Sequence, residues 1–241
     1  MGPQRTDPLA ELLRLGREAL LDAWALVQPV DCYGCGAPDR ACCDRCRAAL
    51  GQLAAPVRVR CDADPGAPVW CAADYAGAVR GAILALKEQG RLDAARPLAP
   101  LLRAAVGAAL DGPRAAPVRR ADAALIPSSP RALARRGYAP LRVIATRARL
   151  PDARVLAVRH GWRAGSQKHR GRADRLAIGP LRFRSRGSLA GRAFLIIDDV
   201  ATTGSTLRAA TAAIREAGGE VLGCAVVAAP DLARRRLAGR S

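Results

Sequence analysis

Apolar residues along this 241-residue chain fall into short blocks whose spacing switches between strand and helix. Leu9, Leu12, Leu13 and Leu20 recur at helical spacing over residues 7–27, with Thr6 or Asp7 to cap the first turn and Pro8 suited to it. VWCAADY (69–75) reads as a strand, residues 77–88 as a helix closed by Gly90, and 97–110 as a second apolar helix. ADAALIP (121–127) is a second strand, followed by a Ser/Pro/Arg turn and a helix over 138–148. RVLAV (154–158) is a third strand. Residues 159–188 are strongly basic and weakly periodic, with room for one short helix and a hairpin. Phe194–Ile197 forms a strand that stops at Asp198, and a helical pattern from Ser205 to Ala217 closes at Gly218–Gly219. EVLGCAVVAA is the last strand. Strands alternating with helices predict a parallel sheet flanked by helices, an α/β fold in which ligands bind beyond the carboxyl ends of the strands. No internal repeat is visible.

The pattern divides the chain into an N-terminal helix and cysteine module (1–53), a Pro/Gly-rich irregular linker (54–68), the α/β domain (69–230) and a basic, solvated tail (231–241). The size allows one ordinary core plus a small appendage. Only 3% of residues are aromatic, so Ala, Leu and Val must build that core.

Charge changes the picture of partners. Lys and Arg number 39 against 21 Asp and Glu, a formal charge of +18 that would draw in polyanions, phosphates and nucleic acid alike. The scarcity of aromatics argues against extensive base stacking. Nearly all of the positive charge is arginine; Lys87 and Lys168 are the only lysines. The most apolar stretches, 98–110 and 221–229, are too short to span a bilayer. Glu11, Arg14, Arg17, Glu18 and Asp22 interrupt the N-terminal leucines and exclude a signal-peptide core. The expected compartment is the cytoplasm.

Eight cysteines without a secretory signal point to a reducing compartment and to metal rather than disulfides. Cys32-x₂-Cys35 and Cys43-x₂-Cys46 are two knuckles, each able to turn two thiolates onto one ion, and together they suit a structural Zn²⁺. Cys42 could replace Cys43 only by breaking the spacing. Cys61 and Cys71 lack such partners, and Cys224 lies in a buried strand pattern.

The run FLIIDDVATTGST (194–206) carries the most chemistry. A strand ending at Asp198 and Asp199 opens a hydroxyl-rich loop at a helix N-terminus, where free backbone N–H groups and the helix dipole attract a phosphate. Thr202, Thr203, Ser205 and Thr206 can donate hydrogen bonds to it, and the carboxylates can accept from ribose hydroxyls or hold a hard cation such as Mg²⁺. A P-loop is excluded, because no lysine follows Gly204. The segment resembles the thirteen-residue signature of the type I phosphoribosyltransferases. That resemblance implies that Asp198 and Asp199 form the catalytic pair on the ribose of phosphoribosyl pyrophosphate (PRPP), and that Thr202, Thr203, Gly204, Ser205 and Thr206 bind its 5′-phosphate. Thr202 stands where purine-salvage members carry an acid, which points away from purine salvage.

Cysteine knuckles ahead of this signature resemble the ComF-type competence protein family. DYAGAVRGAILALK (74–87), ALIPSSPRALARRGYAP (124–140) and RAGSQKHRGRADR (163–175) are similar to that family's characteristic segments, although Ser128, Ser129 and Ala139–Pro140 depart from its pattern. The resemblance implies a phosphoribosyltransferase-like parallel sheet with a four-cysteine zinc module, a role in DNA uptake during natural transformation, single-stranded DNA as partner, and contact with competence machinery. Arg131, Arg135 and Arg136 surround the turn where pyrophosphate would land, and an arginine fork suits its oxygens. Lys87 joins the candidate substrate-binding residues; its plain alternative is a helix C-terminal charge favoured by the dipole. His160, His169, Gln167 and Trp162 are solvated-loop residues or contacts to phosphate or base. Two functions fit: a PRPP-binding protein that assists transforming DNA, or an enzyme transferring ribose 5-phosphate from PRPP, with Mg²⁺, to an acceptor in nucleotide or related metabolism.

Overall fold

The computed structural model describes residues 30–51, 55–111, 121–159 and 183–231. The helix expected over 7–27, His160, Trp162, Gln167, His169 and the tail after Asp231 lie outside the described residues. In chain order the elements are α1 (Asp44–Gly51), β1 (Val57–Val59), β2 (Val69–Asp74), α2 (Gly77–Glu88), a 3₁₀ turn at Leu92–Ala94, and α3 (Ala95–Leu110). There follow β3 (Ala121–Leu125), α4 (Pro130–Arg136), α5 (Pro140–Arg147), β4 (Leu156–Val158), β5 (Phe183–Ser185), β6 (Ala193–Val200), α6 (Ser205–Glu216) and β7 (Glu220–Ala229).

Five strands form one sheet in the order β1-β2-β7-β6-β3. Every pair is parallel except β1 with β2. Gly223 to Ala229 are buried without alternation, as in a parallel strand covered on both faces. Helix α3 packs over β7 and β2, and α6 over β6 and β7. Phe194, Ile196 and Ile197 on β6 are fully buried, and truncating any one to alanine would cost about 2–5 kcal/mol. Small residues such as Ala99, Ala105, Ala225 and Ala228 let helix and strand backbones approach closely where aromatic residues are scarce.

Several expectations change. The strand of the signature does not stop at the aspartates: β6 runs through both to Val200, because β7 continues to pair with it up to Val200 opposite Ala228. The stretch expected as an irregular linker contains β1, whose Val57 and Val59 pair with Cys71 and Val69 at the sheet edge. The helix expected over 138–148 is α5, and the Ser/Pro/Arg stretch before it, expected as a turn, holds the short helix α4, which Gly137 caps in the left-handed conformation before Pro140 opens α5. RVLAV is not a third strand of the main sheet. Its residues 156–158 pair antiparallel with β5 in a separate two-stranded ribbon. A short apolar run carries no signal of its partner, and a second short strand supplied an antiparallel one.

Candidate functional site

The end of β6 brings together segments far apart in the chain. Asp199 is buried, and Lys87 on the last turn of α2 donates from Nζ to its Oδ1 at 2.7 Å. Burial opposes the charge on Lys87, but the Asp199 charge and this hydrogen bond outweigh it and raise the ammonium's pKa. Side chains alternate along a strand, so Asp198 turns to the opposite face. There its charge reaches Cys224 of β7. Asp198 accepts a hydrogen bond from the backbone N–H of Asp199 at 2.8 Å. Burial, then the neighbouring Asp199 charge, push its carboxyl up to about 7 against the pull of Lys87 and that N–H.

The loop after β6 is anchored from behind. Ala201 N–H donates to Ala228 O at 3.0 Å, and Ala63 N–H donates to Thr203 O at 2.7 Å, so the segment after β1 clamps it. Gly204 adopts φ 84°, and a Cβ there would meet Cys61 Cβ at 2.5 Å and Ala63 O at 2.7 Å. Only glycine fits. Thr203 Oγ1 donates to Ser205 Oγ at 3.0 Å and accepts from Ser205 N–H at 3.3 Å. Arg208 N–H to Gly204 O, 2.9 Å, is the first bond of α6, so the amides of Ser205, Thr206 and Leu207 open the helix ahead of it. Thr202 and Thr203 are exposed beside these amides, and Ser205 and Thr206 half-exposed. Hydroxyls and helix-opening amides together suit a phosphate dianion.

Arg131 and Arg136 lie on α4, one exposed and the other half-buried. Neither is hydrogen-bonded to Asp198, Asp199 or the loop among the described residues. The Nε of Arg136 is shielded from solvent and has no hydrogen-bond partner there. Tyr138, just after α4, donates from its hydroxyl to Leu86 O, next to Lys87, and so ties the turn after β3 to the end of α2.

A groove of about 1010 Å³ lies elsewhere, between α4, α5 and the β4–β5 ribbon. Its floor includes Leu125, Leu156 and Val158, and its walls carry Arg142, Arg147, Arg154, Arg184 and Arg186. Asp152 is the one acid in that lining and pairs with Arg142 at 2.9 Å. The carboxylates Asp198 and Asp199 and the amide-rich loop do not line it.

Residues 132–238 match the phosphoribosyl transferase domain. No curated protein matches the chain. The phosphoribosyl transferase match includes Arg136, Asp198, Asp199 and the whole 202–206 loop, and leaves Lys87, Arg131 and the cysteine module outside it. The architecture is an α/β fold with a mostly parallel sheet flanked by helices, a phosphoribosyl transferase domain and an N-terminal four-cysteine cluster. No described helix is long and apolar enough to cross a membrane.

The thiols of Cys32, Cys35, Cys43 and Cys46 all lie within 4.8 Å of one another. Four sulfurs at about 2.3 Å from a tetrahedral zinc stand roughly 3.8 Å apart, so the donor set fits that ion. Cys35 and Cys43 sulfurs are 3.6 Å apart. Gly36, at φ 74°, turns the first knuckle, and its N–H donates to Cys32 O at 2.8 Å. Burial disfavours a thiolate at Cys32, but the N–H groups of Cys43, Gly34 and Cys35 more than offset it and hold the thiol at about 6. Cys42 is not in the cluster: its sulfur contacts Cys43 O at 3.8 Å and lies beside Tyr33. Of the two cysteines that spacing left open, the fourth sulfur of the cluster is therefore that of Cys43.

Motifs gave no sign that Ala63 and Cys61 back the loop, that the Tyr138 hydroxyl reaches the end of α2, or that Arg91 reaches the cysteine module. One signal was legible: Gly81 inside a helical pattern marks a close backbone approach.

Proposed function

We propose that the phosphoribosyl transferase domain binds PRPP or a related sugar phosphate and that the chain assists uptake of single-stranded DNA in natural transformation. The observation that carries the sugar-phosphate reading is the end of β6, where two carboxylates run directly into helix-opening amides and hydroxyls. In this reading the 5′-phosphate rests on the amides of 205–207 and the hydroxyls of Thr202, Thr203, Ser205 and Thr206. Asp198 and Asp199 accept from the ribose hydroxyls. Lys87 orients Asp199 through its hydrogen bond, and Arg131 and Arg136 face pyrophosphate together with Mg²⁺. Calorimetry with PRPP and Mg²⁺ tests this: heat is expected with wild type and none with Asp199→Asn. No heat with wild type would leave the fold as a scaffold without this ligand.

The nucleic-acid part rests on the ComF-like order of motifs, the charge of +18 and the arginine-walled groove. Arg184 on β5 and Arg186 just after it both line this groove, a pair of cations as a groove that follows a phosphate backbone requires. Competence machinery proteins are further partners in this reading. Binding of single-stranded oligonucleotide should weaken steeply with salt; salt-independent binding, or none at low salt, counts against it.

A second reading, transfer of ribose 5-phosphate from PRPP to an acceptor, is favoured by one observation. Asp198 titrates near neutrality, where a carboxyl can take or give a proton. Pyrophosphate release on addition of candidate nucleophiles would distinguish turnover from binding alone.

A further inference from the structure

We propose that Arg91 is a positioning residue, locking the four-cysteine module onto the helix that carries Lys87, so that the metal cluster and the sugar-phosphate site are one mechanical unit. The guanidinium of Arg91 donates to two carbonyls of the module, Asp31 O at 2.7 Å and Ala41 O at 3.0 Å, and lies over the Tyr33 ring, 5.2 Å from its centre. Asp31 directly precedes Cys32. Ala41 stands two residues before Cys43, and its carbonyl also accepts from Tyr33 N–H at 3.2 Å. At its other end Arg91 is fixed to α2, since its own N–H donates to Ala85 O at 3.1 Å.

The module also rests directly on α2. A Cβ at Gly81 would meet Tyr33 O at 1.7 Å, so the first knuckle lies against the helix backbone with no room for a side chain. From Gly81 to Lys87 the helix rises about 9 Å, less than two turns, which transmits a displacement without bending. At that end Lys87 holds Asp199 at 2.7 Å, and the Leu86 carbonyl receives Tyr138. The Arg91 side chain is only 17% exposed, and its carboxylate neighbour Asp93 is 3.5 Å away and half-exposed, so the module's carbonyls are its closest acceptors. If the four-cysteine cluster opens, those carbonyls leave, a largely buried guanidinium loses its closest acceptors, and α2 is free to shift.

This inference rests on the reading of Lys87 and Asp199 as part of the sugar-phosphate site, and the test separates the two. Full-length wild type, Arg91→Ala and Arg91→Lys are compared, with zinc per chain measured by mass spectrometry. The first readout is acylation of Lys87, followed by peptide mass mapping and independent of any sugar phosphate; only two lysines exist, so the signal is unambiguous. Lys87 should be protected in zinc-loaded wild type, and labelled at least fivefold faster in zinc-loaded Arg91→Ala and in wild type stripped of metal. Arg91→Lys, which keeps one donor, should recover part of the protection. The second readout is the PRPP dissociation constant. Arg91→Ala should weaken binding about tenfold, yet have no further effect in a Lys87→Ala background, because it acts through that lysine. Unchanged Lys87 labelling in both Arg91→Ala and stripped protein overturns the inference, as does an undiminished effect of Arg91→Ala in the Lys87→Ala background. Absence of PRPP binding by wild type overturns only the site reading, since the labelling still decides the coupling.

Discussion

Replacing Asp198 by asparagine separates the cost of holding a carboxyl at the end of β6 from the use made of it. The group ordinarily titrates at 3.8, and burial followed by the charge of Asp199 moves it to about 7. Between those values the unfolded chain has lost a proton that the folded chain keeps. The unfolded state therefore binds fewer protons, and stability falls as pH rises through this window. The penalty is absent below about pH 4 and complete above about pH 7. At about 1.4 kcal/mol per pH unit its ceiling is roughly 4 kcal/mol, and partial contact with solvent reduces the expected value to about 2–3 kcal/mol. Asparagine has nearly the same shape, keeps the oxygen that accepts from Asp199 N–H, and cannot ionise. Urea denaturation should therefore find Asp198→Asn more stable than wild type by about 2–3 kcal/mol at pH 8 and by about 1 kcal/mol at pH 5. Affinity for PRPP should move the other way. Wild-type binding should strengthen from pH 6 to pH 8 as the carboxylate forms, and the variant should bind at least tenfold more weakly at pH 8, with little dependence on pH. A variant destabilised at pH 8, or a stability gap equal at pH 5 and pH 8, would refute the assignment of the carboxyl as strained by burial.

Cys43→Ala should abolish stoichiometric zinc whereas Cys42→Ala retains one ion per chain, as metal analysis of the purified proteins will show; equal loss in both would contradict the sulfur geometry. Gly204→Ala should cost about 2–4 kcal/mol and remove PRPP binding, since it combines a left-handed backbone with a clash against Cys61 and Ala63. Gly137→Ala is the control, with φ 76° but open space around its Cβ, and should cost about 1 kcal/mol by thermal denaturation. Joint replacement of Arg184 and Arg186 by alanine should flatten the salt dependence of single-stranded DNA binding by about 1.4 in log–log slope, about 0.7 for each phosphate no longer neutralised, and leave PRPP affinity unchanged. An unchanged slope would move the nucleic-acid surface elsewhere.

Local chemistry was legible wherever a short run carries its own instruction. The CxxC pairs named the four cysteines that cluster, and DDVATTGST named an acid-then-hydroxyl loop at a helix N-terminus, because each is built from neighbours in sequence and from turn geometry that those neighbours impose. The helix over 77–88 and the strands at 69 and 220 followed from periodicity in the same way. Periodicity was silent on pairing. Nothing in RVLAV says that residues 156–158 leave the main sheet for β5, and nothing in the Pro/Gly-rich stretch says that Val57–Val59 joins β2 or that Ala63 closes on Thr203.

By itself, then, the amino-acid order determined the alternating α/β architecture, the four-cysteine cluster and the acid-then-hydroxyl loop, since each depends on contacts within a few residues. Only the tertiary structure decided that Lys87, 112 residues away, would hold Asp199, and that Arg91 would reach Ala41 across 50 residues. It also decided that the two adjacent aspartates would meet different partners. Those outcomes follow from which strands pair and which helix face is buried, long-range packing choices that no local pattern encodes.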